Sequence, residues 1–133
     1  MPEYRFPIRV YIEDTDAGGI VYYVNYLKYF ERARTELIRS LGVDKTAVME
    51  DGSVFVVTSA AIDYHAPARL DDQLEAVAEV VNSGAATIEF RQSVVRSGIE
   101  LASGEVRVAL TDGESGKPKR MPNGLRELLT QST

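Results

Sequence analysis

The segment Glu13-Asp14-Thr15-Asp16-Ala17-Gly18-Gly19-Ile20-Val21-Tyr22-Tyr23 sets three carboxylates ahead of two glycines and the start of the longest helical pattern in the chain. The first turn of a helix leaves backbone N–H groups without intrahelical partners, and the helix dipole adds partial positive charge there. Such an end can hold a carbonyl oxygen as negative charge develops on it. A carboxylate beside it can attack the carbonyl carbon or activate a water to do so, which is the minimum needed for acyl transfer. The same residues have a plainer use: Asp14 or Asp16 can cap a helix or close a turn, and the local pattern by itself favours that reading.

Elements must position these groups. Ile8, Val10 and Ile12 alternate with Arg9, Tyr11 and Glu13, which predicts a half-buried strand over 8–13. From about Tyr22 to Leu41 the period changes: Tyr26, Phe30, Ala33, Leu37 and Leu41 recur at helical spacing, Glu31, Arg32, Arg34, Glu36 and Arg39 fill the other face, and Gly42 supplies a stop. Asp44 to Asp51 reads as a short second helix capped by Asp44 and broken by Gly52. Ser53 to Ala66 reads as a long strand with Val54, Val56, Thr58, Ala60, Ile62 and Tyr64 on one face, ended by Pro67. Runs over Gln73–Asn82, Ala86–Arg96 and Leu101–Thr111 are separated by short turn-like segments, which favours antiparallel hairpins, and Pro122 to Leu129 suits a brief helix. The predicted architecture is α+β: a five-stranded antiparallel sheet with one long helix packed across it.

At 133 residues and 44% hydrophobic content the chain reads as a single domain, 1–133. So short a chain gains from oligomerisation, and a homo-oligomer is expected. The net charge of −5 argues against nucleic acid as a partner. The absence of cysteine excludes disulfides, cysteine nucleophiles and thiolate metal sites, and suits a reducing compartment. Met1-Pro2-Glu3-Tyr4-Arg5-Phe6-Pro7 lacks the layout of a secretory signal and no run is apolar for long enough to span a membrane, so a cytoplasmic location is expected, with peripheral membrane association left open.

The motif Arg9-Val10-Tyr11-Ile12-Glu13-Asp14-Thr15-Asp16-Ala17-Gly18-Gly19-Ile20-Val21-Tyr22-Tyr23 resembles the strand, catalytic loop and helix start of the hotdog-fold acyl-CoA thioesterases of the 4-hydroxybenzoyl-CoA thioesterase type, and particularly the YbgC-like branch associated with the Tol-Pal envelope system. Asn25-Tyr26, Phe30-Glu31-Arg32-Ala33-Arg34-Thr35-Glu36 and Asp63-Tyr64-His65-Ala66-Pro67-Ala68-Arg69-Leu70-Asp71-Asp72 continue the resemblance over nearly the whole chain. It implies a hotdog fold, hydrolysis of an acyl-CoA thioester without metal or tightly bound cofactor, and a homodimer or homotetramer with composite sites. Asp16 matches the catalytic carboxylate of the family, as nucleophile or general base, and Asp14 matches the first acid of its Asp-x-Asp motif. Tyr23 falls where the helix start offers a main-chain N–H to the thioester carbonyl. The branch commonly carries Tyr where this chain has Ile12 and His where it has Tyr23, so its side-chain constellation transfers less completely than Asp16 and the backbone donor.

Substrate contact is assigned to Gly19, where the backbone can approach closely, and to Tyr22, Asp14, His65 and Arg91. Each has a structural alternative: Asp14 as support for the turn, His65 in a structural hydrogen bond, the tyrosines in helix packing, Arg91 as a solvated cation. Arg69, Arg96 and Lys117 to Arg120 join Arg91 as candidates for the phosphates of coenzyme A, while Asp71 and Asp72 read as a solvated turn. Rival expectations are a thioesterase of the same fold acting on acyl carrier protein or aromatic-CoA esters, and a non-catalytic scaffold of the envelope machinery.

Overall fold

Turns of three and two residues join the last three strands of this chain, and every pair in the sheet is antiparallel. The computed structural model describes residues 2–43 and 51–130. Within them run β1 (Glu3–Arg9), a 3₁₀ turn (Ile12–Asp14), α1 (Asn25–Ser40), β2 (Ser53–Tyr64), β3 (Gln73–Ser83), β4 (Thr87–Arg96), β5 (Ile99–Asp112) and α2 (Asn123–Thr130). The helix expected over Asp44 to Asp51 lies almost entirely outside the described residues. The strand order is β1-β3-β4-β5-β2, so β1 and β2 form the two edges. Pro7, which has no N–H to donate, is tolerated on β1 because that strand is an edge.

Helix α1 lies across the concave face of the sheet, the hotdog arrangement that the resemblance implies. Tyr26, Phe30, Ala33 and Leu37 are buried as their spacing predicts, joined by Tyr29 and Ile38, and they pack on Leu74, Ala76, Ala78 and Val80 of β3, Ile88, Phe90 and Val94 of β4, and Val106, Val108 and Leu110 of β5. Burying each large apolar side chain contributes about 1.5–3 kcal/mol before chain entropy is set against it. One polar side chain enters this layer with its bonds satisfied: Gln92 donates to the Phe30 carbonyl at 2.9 Å and accepts from the Arg34 guanidinium at 2.9 Å. Gly42, with φ +96°, follows the helix in the left-handed conformation that ends it. On α2, Leu125 and Leu129 are buried.

Three boundaries and one strand register depart from the sequence reading in ways that bear on the site. The first strand is Glu3–Arg9, not 8–13, because after Arg9 the chain leaves β3: the Val10 N–H bonds to the Asp72 carbonyl, and Ile12, 76% exposed, sits on the 3₁₀ turn. Helix α1 begins at Asn25, three residues after Tyr22. On β2 the pairing register skips Thr58, passing from Val57 opposite Val108 to Ser59 opposite Arg107. Such a bulge moves every later side chain to the other face. Phe55 and Val57 therefore share the concave face with Ile62 and Tyr64, and the expected single row from Val54 to Tyr64 is broken in the middle. β5 starts two residues early, at Ile99, because Ser97 (φ 50°) and Gly98 (φ 80°) alone make the turn.

Candidate active site

The acidic segment is a small folded unit between β1 and α1. Thr15 pairs with Val21 as an isolated antiparallel bridge, and the Asp16 N–H reaches the Ile20 carbonyl at 3.0 Å, so the loop doubles back within five residues. Gly19, at φ +75°, is the residue whose backbone makes that reversal possible.

The two aspartates have opposite environments. Asp14 is 7% exposed, and both carboxylate oxygens are occupied: Oδ1 accepts from the Asn25 side-chain amide at 2.8 Å and Oδ2 from the Tyr11 N–H at 2.9 Å. Its carbonyl also accepts from the Tyr22 N–H, which ties it to the helix approach. Beside it the Tyr29 hydroxyl is buried with no hydrogen-bond partner among the described residues, and burial together with the Asp14 charge pushes that phenol well above its ordinary pKa. Asp16 is exposed. Its Oδ1 accepts from the Gly18 N–H at 2.9 Å, closing a local turn, while among the described residues its other oxygen has no donor and no cation pairs with it.

The start of α1 lacks a side-chain cap. Val24 occupies the cap position and has nothing to offer, where Ser, Thr, Asp or Asn usually stands. The Asn25 N–H reaches the Tyr22 carbonyl at 2.8 Å and the Leu27 N–H the Val24 carbonyl at 3.1 Å, but the N–H groups of Tyr23 and Val24 have no acceptor among the described residues. Two adjacent donors at the positive end of a sixteen-residue helix, seven and eight residues after Asp16, are of the kind that can stabilise a carbonyl oxygen as it gains charge. Tyrosines floor this entry: Tyr22 and Tyr23 touch, Tyr64 packs edge-on against Tyr23 and Tyr26, and Tyr26 against Tyr29.

A strap from the β2–β3 connection holds the loop in place. The Val21 N–H bonds to the Ala68 carbonyl at 2.8 Å, the Leu70 N–H to the Gly19 carbonyl at 3.1 Å and the Asp71 N–H to the Val10 carbonyl at 3.0 Å, while the buried Ala68 N–H donates to the Tyr26 hydroxyl at 3.0 Å. Asp72 locks the strap, accepting from the Arg69 N–H at 2.8 Å and from the Arg96 guanidinium at 2.6 Å. Burial pushes its carboxyl upward, but the Arg69 N–H and the Arg96 charge outweigh this and hold it below the usual carboxylate range. The Asp71-Asp72 pair is thus more than a solvated turn.

Asp14, Asp16, Gly19, Tyr22 and Tyr23 are brought together. His65 and Arg91 are not: both lie on the outer face of the sheet, His65 Nε2 2.8 Å from Ser103 Oγ and Arg91 beside Glu79 at 3.4 Å. Sequence reading missed three contributors. Asn25 and Tyr29 looked like ordinary positions of a helix, and their relation to Asp14 depends on the 3₁₀ turn; Tyr64 looked like a strand side chain, and only the bulge at Thr58 turns it toward the helix.

Residues 10–129 match the model of the Thioesterase-like superfamily. The acyl-CoA thioesterase YbgC of Haemophilus influenzae is 44% identical over 124 residues, which cover 92% of this chain and 91% of that protein. The acyl-CoA thioester hydrolase YbgC of Escherichia coli O6:H1 is 40% identical, covering 92% of each. A crystal structure of a probable thioesterase from Bartonella henselae superposes with a TM-score of 0.85 at 32% identity, covering 90% of this chain and 99% of that one. With a match that runs from Val10, the last buried residue before the acidic loop, to Leu129, the last buried residue of α2, the chain belongs to the Thioesterase-like superfamily.

Proposed function

We propose that the acidic loop and the entry of α1 together form the hydrolytic centre of this protein, with Asp16 as the reacting carboxylate. The chain is a thioester hydrolase acting on acyl-CoA, as its family and its YbgC relatives indicate. The carbonyl oxygen of the thioester sits on the Tyr23 and Val24 N–H groups, which stabilise the charge it gains. Asp16 then either adds to the carbonyl carbon, expelling the CoA thiolate and leaving an anhydride for water to open, or takes the proton of a water that adds in its place. Both routes consume one water and yield free acid and CoA.

One observation carries the assignment: of two carboxylates two residues apart, Asp14 has both side-chain oxygens engaged and Asp16 keeps one without a donor among the described residues, in the loop that leads to the unpaired main-chain donors of Tyr23 and Val24. Asp16→Asn tests it. Turnover of an acyl-CoA panel falls about 10²–10⁴-fold, with folding and CoA binding retained; unchanged turnover removes the mechanism. The same panel, extended to aromatic-CoA and carrier-protein esters, identifies the acyl group.

The site is completed by a second copy. β2 is a twelve-residue edge strand that leaves Val56 44% and Val57 48% exposed, a surface that a lone protein would blunt with charge. Two such edges pairing antiparallel about a two-fold axis extend the sheet across both copies. Tyr64 at one end of β2 neighbours the entry of α1, while Phe55 and Val57 at the other end line a cavity of about 310 Å³ with Arg34, Ile38 and Phe90. Antiparallel pairing sets each entry toward the partner's cavity, where an acyl group fits. Sedimentation equilibrium at a mass of two or four 14.7 kDa chains is the expected result, and a monomer at assay concentration refutes the composite site.

A further inference from the structure

The Tyr64 hydroxyl donates to the Tyr23 carbonyl at 2.8 Å, linking the last residue of β2 to the approach of a helix 41 residues earlier. That carbonyl belongs to the peptide unit whose other end is the Val24 N–H. A hydrogen bond to the oxygen of a peptide fixes its plane and polarises the N–H opposite. The preceding unit is held in the same way, because the Tyr22 carbonyl accepts from the Asn25 N–H at 2.8 Å and its far end is the Tyr23 N–H. Both unpaired donors are therefore the far ends of anchored peptides.

The anchor on Tyr23 is mainly the phenol. The Tyr26 N–H also approaches that oxygen, but at 3.4 Å, a marginal distance. The helix has no capping side chain to orient its entry, so the task falls to a residue from the sheet. Edge-on packing against Tyr23 at 6.2 Å and Tyr26 at 5.3 Å fixes the Tyr64 ring, and burial with the neighbouring phenols pushes its pKa up, so it remains a donor through neutral pH.

We propose that Tyr64 is a positioning residue for thioester hydrolysis: its hydroxyl holds the Tyr23–Val24 peptide so that the two adjacent N–H groups stay aimed at the thioester oxygen. Tyr64 acts through the main chain and touches no reacting atom. The proposal rests on the oxyanion role assigned above to the entry of α1.

Tyr64→Phe removes the hydroxyl and keeps the ring. The expected result is a fall in kcat of about 10-fold with KM within about two-fold, a thermal midpoint within about 2 °C of wild type, and an upfield shift with faster exchange of the Val24 amide proton. Unchanged kcat overturns the proposal, and so does a fall in kcat with the Val24 amide unmoved. Parallel losses in kcat and thermal midpoint assign Tyr64 to packing alone and overturn it as well. Asp16→Asn assayed alongside separates the two levels: turnover that survives Asp16→Asn refutes the hydrolytic assignment, whereas the Val24 amide reports the hold of Tyr64 on the peptide without any substrate.

Discussion

On the outer face of the sheet, His65 lies 2.8 Å from Ser103 and 3.7 Å from Glu100, Arg91 rests against Glu79, and Arg107 is bonded to Glu89. At the acidic loop, a carboxylate oxygen of Asp16 and the N–H groups of Tyr23 and Val24 have no such partners among the described residues, although both oxygens of Asp14 and the main chain of the strap do. The outer face carries the residue types most often associated with catalysis, a histidine and a serine in contact, yet its groups satisfy one another and Glu100 approaches the same ring nitrogen as Ser103. The loop is built from an aspartate and main-chain donors, and a second aspartate, an asparagine, an arginine and a strap of backbone bonds hold them open. Hydrogen-bonding capacity that a fold goes to some length to keep free is a better sign of chemistry than residue identity.

The contrast can be broken most sharply within the loop itself. Asp16→Asn is expected to remove almost all turnover at unchanged stability, whereas Asp14→Ala, which strands the Tyr11 N–H and the Asn25 amide, is expected to destabilise the protein by about 2–4 kcal/mol in urea titration and to lower turnover through disorder of the loop. Equal behaviour of the two variants would erase the distinction. The loss in Tyr64→Phe falls below that of Asp16→Asn, since it loosens a donor without deleting the carboxylate.

A smaller effect concerns acid. Asp72 is held below its ordinary pKa of about 3.9, so its contribution to stability is complete above that value and is lost as pH falls through the lower, folded-state pKa. Asp72→Asn is therefore expected to lose less thermal midpoint than wild type between neutral pH and about pH 3, and to show weaker activity at neutral pH as the strap loosens. The smallest effects belong to the outer face: His65→Ala and Arg91→Ala remove exposed pairs worth about 0–1 kcal/mol and should leave kcat/KM within about two-fold. A ten-fold fall in either variant would mean that another copy brings that face to the substrate.

Much of this was legible before any coordinates. The helical spacing of Tyr26, Phe30, Ala33 and Leu37 located the long helix, the glycines marked turns, and Asp14-Thr15-Asp16 pointed to the site. The division of labour between the two aspartates was legible only through the family resemblance: the local pattern treats both as turn or cap residues, and the physical difference arises from the 3₁₀ turn that buries Asp14 against Asn25. Alternation that continues through Val10 to Ile12 predicts a later first strand than Glu3–Arg9, because it persists after the chain has exchanged β3 for the strap. The Tyr64 contact depends on a bulge, and a single skipped residue in a row of small and β-branched side chains leaves no mark on composition.

The strand order β1-β3-β4-β5-β2 also has a meaning in time. During synthesis β2 is made early, but the strand it pairs with, β5, ends at Asp112 and comes last. For about fifty residues of elongation, several seconds at usual rates, a long apolar strand waits for its neighbour while the strap and the acidic loop lack their final frame. Hydrolytic competence therefore arrives only with the closing hairpin, and the nascent chain is most vulnerable to aggregation through β2 while both of its edges are unpaired.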